Sequence, residues 1–239
     1  MSGKHLIPTF MEAQNIPDAQ FKLLKLIFIT NKGIADVLPE WGGRTDQIRR
    51  EFDCLFLHIL HPEQRPLVEP PPDGCGSVTT MDKIEEYAHS QLLLPGNPLG
   101  FKYTYGTYIC AQIDHMIDAF KTYGFGHVKS AMTTSIPEDW DAGKSMPCLR
   151  VIDFKPLFDE EDQTWYNHMF LYFRVNDGYS AFNENIGGLQ LVNEWFVNQV
   201  GSHPKTGLPF KTGEIIYVSK SWNVREEVFG PAKARVYLP

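Results

Sequence analysis

Residues 147–154 read Pro147-Cys148-Leu149-Arg150-Val151-Ile152-Asp153-Phe154, and residues 168–185 read HMFLYFRVNDGYSAFNEN, from His168 through Arg174, Asp177 and Ala181 to Asn185. The β-formers of residues 149–154 and 168–175 predict two strands. From Asn185 to Val200, the residues Ile186, Leu189, Val192, Phe196 and Val197 recur along one face at helical spacing. A cysteine therefore stands after a proline-bearing loop and before a strand. An arginine stands at the end of the second strand, and an asparagine at a helix start.

Outward from this stretch, Thr79, Thr80 and Asp82 open a helix over residues 81–94, with Ile84, Tyr87, Ala88 and Leu92 at helical spacing. Residues 112–123 repeat Ile113, Met116, Ile117 and Phe120 and close on Gly124, a second amphipathic helix. Residues 214–218 (EIIYV) predict a strand, whereas the apolar runs 21–29 (FKLLKLIFI) and 51–60 (EFDCLFLHIL) fit helix or strand equally. The Pro- and Gly-rich stretch from Arg65 to Gly76 reads as a surface loop rather than a domain linker. One domain over residues 1–239 follows. Helices and strands that do not strictly alternate predict an α+β layered fold, a mixed β-sheet packed against helices.

Lys and Arg total 22 against 29 Asp and Glu, a net charge of -7 without a basic run, which argues against binding to a nucleic-acid backbone. The four cysteines, Cys54, Cys75, Cys110 and Cys148, are spread singly with no CxxC pair, and the eight histidines form no HxxxH pair. Neither a disulfide scaffold nor a metal centre is expected. No signal-peptide pattern and no run of roughly 18 apolar residues is present, so a reduced, cytoplasmic protein without membrane contact is expected.

An isolated cysteine is ordinarily a small buried hydrophobe. Its neighbours change that reading for Cys148. An arginine at a strand end can hold a nearby thiol as thiolate and can bind a phosphate, since its guanidinium offers five donors. An asparagine at a helix start can present both a donor and an acceptor to the edge of a planar heterocycle.

Pro147-Cys148-Leu149, Arg174-x-x-Asp177, Ala181-Phe182-x-x-Asn185 and Leu189 resemble the thymidylate synthase family, in particular its short archaeal-type branch. Met81-Asp82-Lys83-Ile84-Glu85-Glu86-Tyr87, Tyr103-Thr104-Tyr105-Gly106, Gln112-Ile113 and residues 213–221 extend the likeness to about residues 45–230. The resemblance implies that fold, and a one-carbon transfer to C5 of a pyrimidine nucleotide from 5,10-methylenetetrahydrofolate. Cys148 would add to C6 as the nucleophile. Arg174 would bind the phosphate, Asn185 would read the pyrimidine edge, and Asp177 would contact the folate pterin. Tyr105 matches the tyrosine that organises protons near C5, and Glu51 the glutamate that moves protons at O4. The resemblance also implies a homodimer whose sheets stack back to back, with Lys129 lent to the partner's phosphate site.

The departures fall on phosphate and sugar. Where the family has Ser after the phosphate-binding Arg, this chain has Val175; where it has two successive Arg, the nearest positions are Val128 and Lys129. Where the family has a His and, two residues on, a Tyr for the deoxyribose hydroxyl, this chain has Asn223 and Arg225. The pattern implies kept bond-forming chemistry on a pocket rebuilt for another nucleotide, UMP or CMP, with methylation or 5-hydroxymethylation as the outcome. Asn185 is the uracil form at its position. The alternatives are an ordinary thymidylate synthase converting dUMP to dTMP, and a non-catalytic nucleotide- or folate-binding relative.

Overall fold

The computed structural model describes residues 5–30, 33–37, 48–68, 78–101, 103–126, 130–136 and 146–237. The apolar run 21–29 belongs to helix α1 (Ile16–Ile29). Asn15 caps it by accepting from the Asp18 amide at 3.0 Å, Pro17 fits its unpaired first turn, and Ile16, Ala19, Leu23, Leu24 and Ile27 form its buried stripe. The run 51–60 is two elements split at Asp53: strand β3 (Arg49–Phe52) and strand β4 (Cys54–Ile59). In β4 the alternation is regular, with Leu55, Leu57 and Ile59 buried.

Strands β1 (Pro8–Ala13), β4, β5 (Ala131–Thr133), β6 (Leu149–Asp159), β7 (Thr164–Phe173) and β9 (Phe210–Ser219) form one sheet in the order β1-β4-β9-β7-β6-β5. The sheet is mixed: β1 runs parallel to β4 and β7 to β9, and the other pairs are antiparallel. A second, four-stranded sheet joins β2 (Ile34–Val37), β3, β10 (Trp222–Arg225) and β8 (Asn176–Asp177) in the order β2-β3-β10-β8. The α+β layered expectation holds, with strands and helices both longer than their periodic cores. Strand β7 stops at Phe173, so Arg174 and Val175 lie just past it rather than inside it.

Helix α4 (Phe182–Val200) starts three residues before Asn185, which therefore sits in its first turn. Ile186, Leu189, Val192 and Phe196 are buried, and α4 packs on β7 and β9. Helix α3 (Gly106–Tyr123) begins at Gly106, six residues ahead of the sequence expectation, and Gln112 fastens it to β5. The Gln112 side chain donates to the Thr133 carbonyl at 2.8 Å and accepts from the Thr133 amide at 3.0 Å. Helix α2 (Met81–Tyr87), capped by Thr80, runs on as a π-turn over Ala88–Leu93.

Two glycines let backbones approach near the future site. A Cβ at Gly188 would stand 2.6 Å from a ring carbon of Tyr87, so the missing side chain lets α2 lie against α4. A Cβ at Gly178 would stand 2.3 Å from the Trp222 ring, so the turn after β8 sits directly on the buried indole of β10. The sheet face away from α4 keeps large apolar groups in the open: Phe10, Leu157, Phe170 and Tyr172. Phe10 and Phe56 stack there with centroids 5.0 Å apart, beside a shallow apolar hollow that also takes in Leu57 and Ile216.

Candidate active site

The ends of the two sheets meet the first turn of α4 at a cleft of about 470 Å³. That volume falls within the roughly 300–1,000 Å³ of small-molecule sites. Cys148, from the loop before β6, and Tyr105, from the start of α3, line it from one side. Val175 and Asp177 line it from the β7–β8 junction, Asn185 from α4, and Asn223 and Arg225 from β10. The fold thus brings together seven of the ten positions singled out in the sequence.

Arg174 is beside this group but turned to the backbone. Its Nε donates to the Pro147 carbonyl at 3.0 Å and its Nη2 to the Met146 carbonyl at 2.7 Å, while its amide donates to the Cys148 carbonyl at 2.9 Å. The guanidinium therefore fixes the loop that presents the thiol. Of its five N–H donors, the two engaged leave three for a ligand. Glu51 stands one step behind the lining, in β3 opposite Asn223 of β10. Its carboxylate accepts from the Ser221 hydroxyl and, at 3.2 Å, from Arg49 Nε. Lys129 lies outside the described residues.

The amides form a buried chain. Asn185 Nδ2 donates to Asn176 Oδ1 at 3.0 Å, and Asn176 Nδ2 donates to the Tyr217 hydroxyl at 3.1 Å. Asn223 Nδ2 donates to the Asn176 carbonyl at 3.4 Å and to Ser221 Oγ at 3.3 Å. Both its amide hydrogens are spent, so Oδ1 is the group that Asn223 can present to a ligand. Asp177 is similarly committed. Its Oδ1 accepts from the Tyr179 amide at 3.1 Å and the Ser180 amide at 2.8 Å, and its Oδ2 lies 3.7 Å from Arg225 Nε. Arg225, also 3.6 Å from Glu227, thus spans the cleft wall as half of an ion pair rather than as a free cation.

Three tyrosines surround the thiol. Tyr103 donates its hydroxyl to Cys148 Sγ at 3.6 Å, and the Tyr105 hydroxyl accepts from the Leu149 amide at 3.4 Å. Burial pushes the hydroxyls of Tyr87 and Tyr105 well above the ordinary phenol range. Burial, then the neighbouring Tyr105 and Cys148, does the same for Tyr103. All three stay protonated donors at neutral pH.

The sequence reading assigned no role to Tyr87, Gln91, Phe101, Tyr103 and Asn176, which also line the cleft. Spacing held part of that signal. Tyr87 and Gln91 are four apart on one helical face, and Tyr103 is two residues from Tyr105. Asn176 carried none, because its partner Tyr217 comes from a distant strand.

No family model matches the chain. It is 27% identical over 234 residues to a Methanosarcina mazei protein curated as "Putative thymidylate synthase", covering 95% of this chain and 98% of that one. A protein of the same name from Methanosarcina acetivorans is 28% identical over 210 residues, covering 85% and 87%. Among solved structures, the thermostable thymidylate synthase A from Bacillus subtilis superposes with a TM-score of 0.60 at 13% identity, over 93% of this chain and 84% of that chain.

Proposed function

Taking the chain as thymidylate synthase-like in sequence and in fold, we propose that it transfers a one-carbon unit to C5 of a pyrimidine nucleoside monophosphate through a covalent Cys148 adduct. The observation that carries this is the single cleft lined by Cys148, Tyr105, Asp177 and Asn185. A pure binder has no use for a half-buried thiol in the wall of its ligand site. Cys148 Sγ adds to C6, which loads electron density on C5. The three spare donors of Arg174 bind the phosphate, and Asn185, held from behind by Asn176, reads the base edge. The protonated Tyr105 hydroxyl is placed to hold or move a proton near C5.

The donor set fits a reduced folate at the open side. Phe101 offers a flat apolar face, and Asp177 Oδ2 keeps acceptor capacity beyond its Arg225 contact. 5,10-Methylenetetrahydrofolate, when bound, supplies the methylene carbon. Asp177 orients the pterin.

The finer reading concerns the nucleotide. Val175 contributes no hydrogen bond beside Arg174, and Asn223 offers the sugar only an acceptor. Both sugars carry a 3'-hydroxyl that can donate to Asn223 Oδ1, and the ribose 2'-hydroxyl brings the additional donor that deoxyribose lacks. UMP or CMP is therefore expected to be preferred over its deoxy form by about 2- to 12-fold, the value of one hydrogen bond of 0.5–1.5 kcal/mol. The test is kcat/KM for UMP, CMP, dUMP and dCMP with 5,10-methylenetetrahydrofolate, together with tritium release from C5 and the product mass. A gain of CH2 marks methylation and a gain of CH2O marks hydroxymethylation. A preference for dUMP over both ribonucleotides makes the enzyme an ordinary thymidylate synthase, and no release from any of the four leaves a binding protein.

The assembly expected with this reading is a homodimer through the open sheet face. Phe10 is 75% exposed on β1, and Phe170 and Tyr172 on β7 with Leu157 on β6 are further exposed apolar groups beyond β4 and β9 in the same sheet. A second copy of the same face is the partner that a two-fold contact requires. Light scattering is expected to give twice the chain mass, and a monomer at micromolar concentration removes the dimer from the proposal.

A further inference from the structure

The Tyr103 hydroxyl has no role in the reaction as described so far, yet among the described residues it is the side-chain group that donates to Cys148 Sγ. The other titratable and charged groups around that sulfur make their hydrogen bonds elsewhere. The Tyr105 hydroxyl accepts from the Leu149 amide, Arg174 donates to two carbonyls and keeps three donors for the phosphate, and the Tyr217 hydroxyl accepts from Asn176. Tyr87 lies behind Tyr105, and Asp177 and Arg225 pair with each other along the cleft wall. The Tyr103 ring is itself braced edge-on against Tyr105, with centroids 5.6 Å apart and planes at 71°, which fixes where its hydroxyl points.

We propose that Tyr103 is a catalytic residue that stabilises Cys148 as the attacking thiolate by donating its hydroxyl hydrogen to Sγ. A hydrogen bond to an ionised acceptor is about twice as strong as a neutral one, so it favours the charged sulfur over the thiol. Cys148 gives its proton to solvent, and Tyr103 keeps its own hydrogen throughout. When Sγ attacks, its electron pair forms the new S–C bond, the charge leaves the sulfur, and the hydrogen bond relaxes to its neutral strength. Burial holds the Tyr103 hydroxyl well above the phenol range, so it remains a protonated donor at neutral pH.

The role rests on Cys148 being the nucleophile, but its test needs neither nucleotide nor folate. Iodoacetamide alkylation of Cys148 is followed against pH by peptide mass spectrometry, which separates it from Cys54, Cys75 and Cys110. In that reaction the sulfur electron pair forms the S–C bond and iodide leaves. In Tyr103→Phe, the pH midpoint for Cys148 is expected to rise by about one unit, with alkylation at pH 7 about tenfold slower. Replacing Tyr103 by 3-fluorotyrosine acidifies the phenol with the packing kept, and is expected to move the midpoint the other way. That second measurement stands even if Tyr103→Phe does not fold. Profiles that superpose on wild type in the folded variants overturn the role. Absence of turnover on every pyrimidine nucleotide overturns the functional reading instead, without touching this result.

Discussion

Cys148→Ala is expected to lower turnover by on the order of 10⁶-fold, the size of loss seen when a catalytic nucleophile is deleted from a site that otherwise stays intact. The loss comes from the sulfur alone. Cys148 is half-buried at the cleft, and its loop is tied by Arg174 to the Met146 and Pro147 carbonyls and by the Arg174 amide to the Cys148 carbonyl. None of these bonds uses Sγ. The change in volume is small, so stability is expected to fall by less than about 1.5 kcal/mol. Nucleotide affinity by calorimetry should hold near wild type, because Arg174 and Asn185 are untouched, while tritium release from C5 should vanish. Turnover within an order of magnitude of wild type would sink the covalent mechanism.

What the sequence made legible was local or ordered along the chain. Pro147-Cys148-Leu149 and Arg174 to Asn185 give their elements directly, because β-formers and a helical stripe flank residues whose chemistry is uncommon in combination. The two ambiguous apolar runs fell to opposite sides for reasons their periodicity does not hold. Residues 21–29 are helical because Asn15 caps and Pro17 starts the turn upstream, whereas residues 51–60 break at Asp53, whose amide donates to the Gly33 carbonyl at 2.8 Å. The first strand, β1, was not expected at all. Its outward face carries Pro8, Phe10 and Glu12, so the large apolar Phe10 stands exposed where alternation predicts a polar group. Seven of the ten site positions line one cleft, but their partners did not follow from the motif order. The Asp177–Arg225 contact and the Asn223–Asn176–Asn185 chain join segments that are distant in sequence and adjacent only after β8 and β10 pair.

The same logic gives the second large effect, at a residue far outside the motif region. Gln20 of α1 is 4% exposed, and its Nε2 donates to two successive carbonyls, Gly178 at 3.0 Å and Tyr179 at 3.1 Å. Its Oε1 accepts from Asn183 Nδ2 at 3.0 Å. One side chain therefore holds the turn that carries Asp177 and the first turn of α4 that carries Asn185. In Gln20→Leu the shape is nearly kept, but two buried carbonyls and one amide lose their partner. At about 1–3 kcal/mol for each buried group left unpaired, and with partial relaxation, the expected loss is about 3–5 kcal/mol of folding stability. Gln20 touches no ligand, so its effect on the reaction runs through position: KM for the folate should rise more than kcat falls, since Asp177 is the residue most directly displaced. Gln20→Glu separates this from mere packing. It can still accept from Asn183, yet it sets an acceptor against both carbonyls, and is expected to destabilise at least as much as Leu at neutral pH. Chemical denaturation of the two variants reads the stability and steady-state kinetics reads the split. A Gln20→Leu protein within about 1 kcal/mol of wild type, below the cost of one unpaired buried group, would mean that the turn holds itself and that α1 plays no part in placing the site.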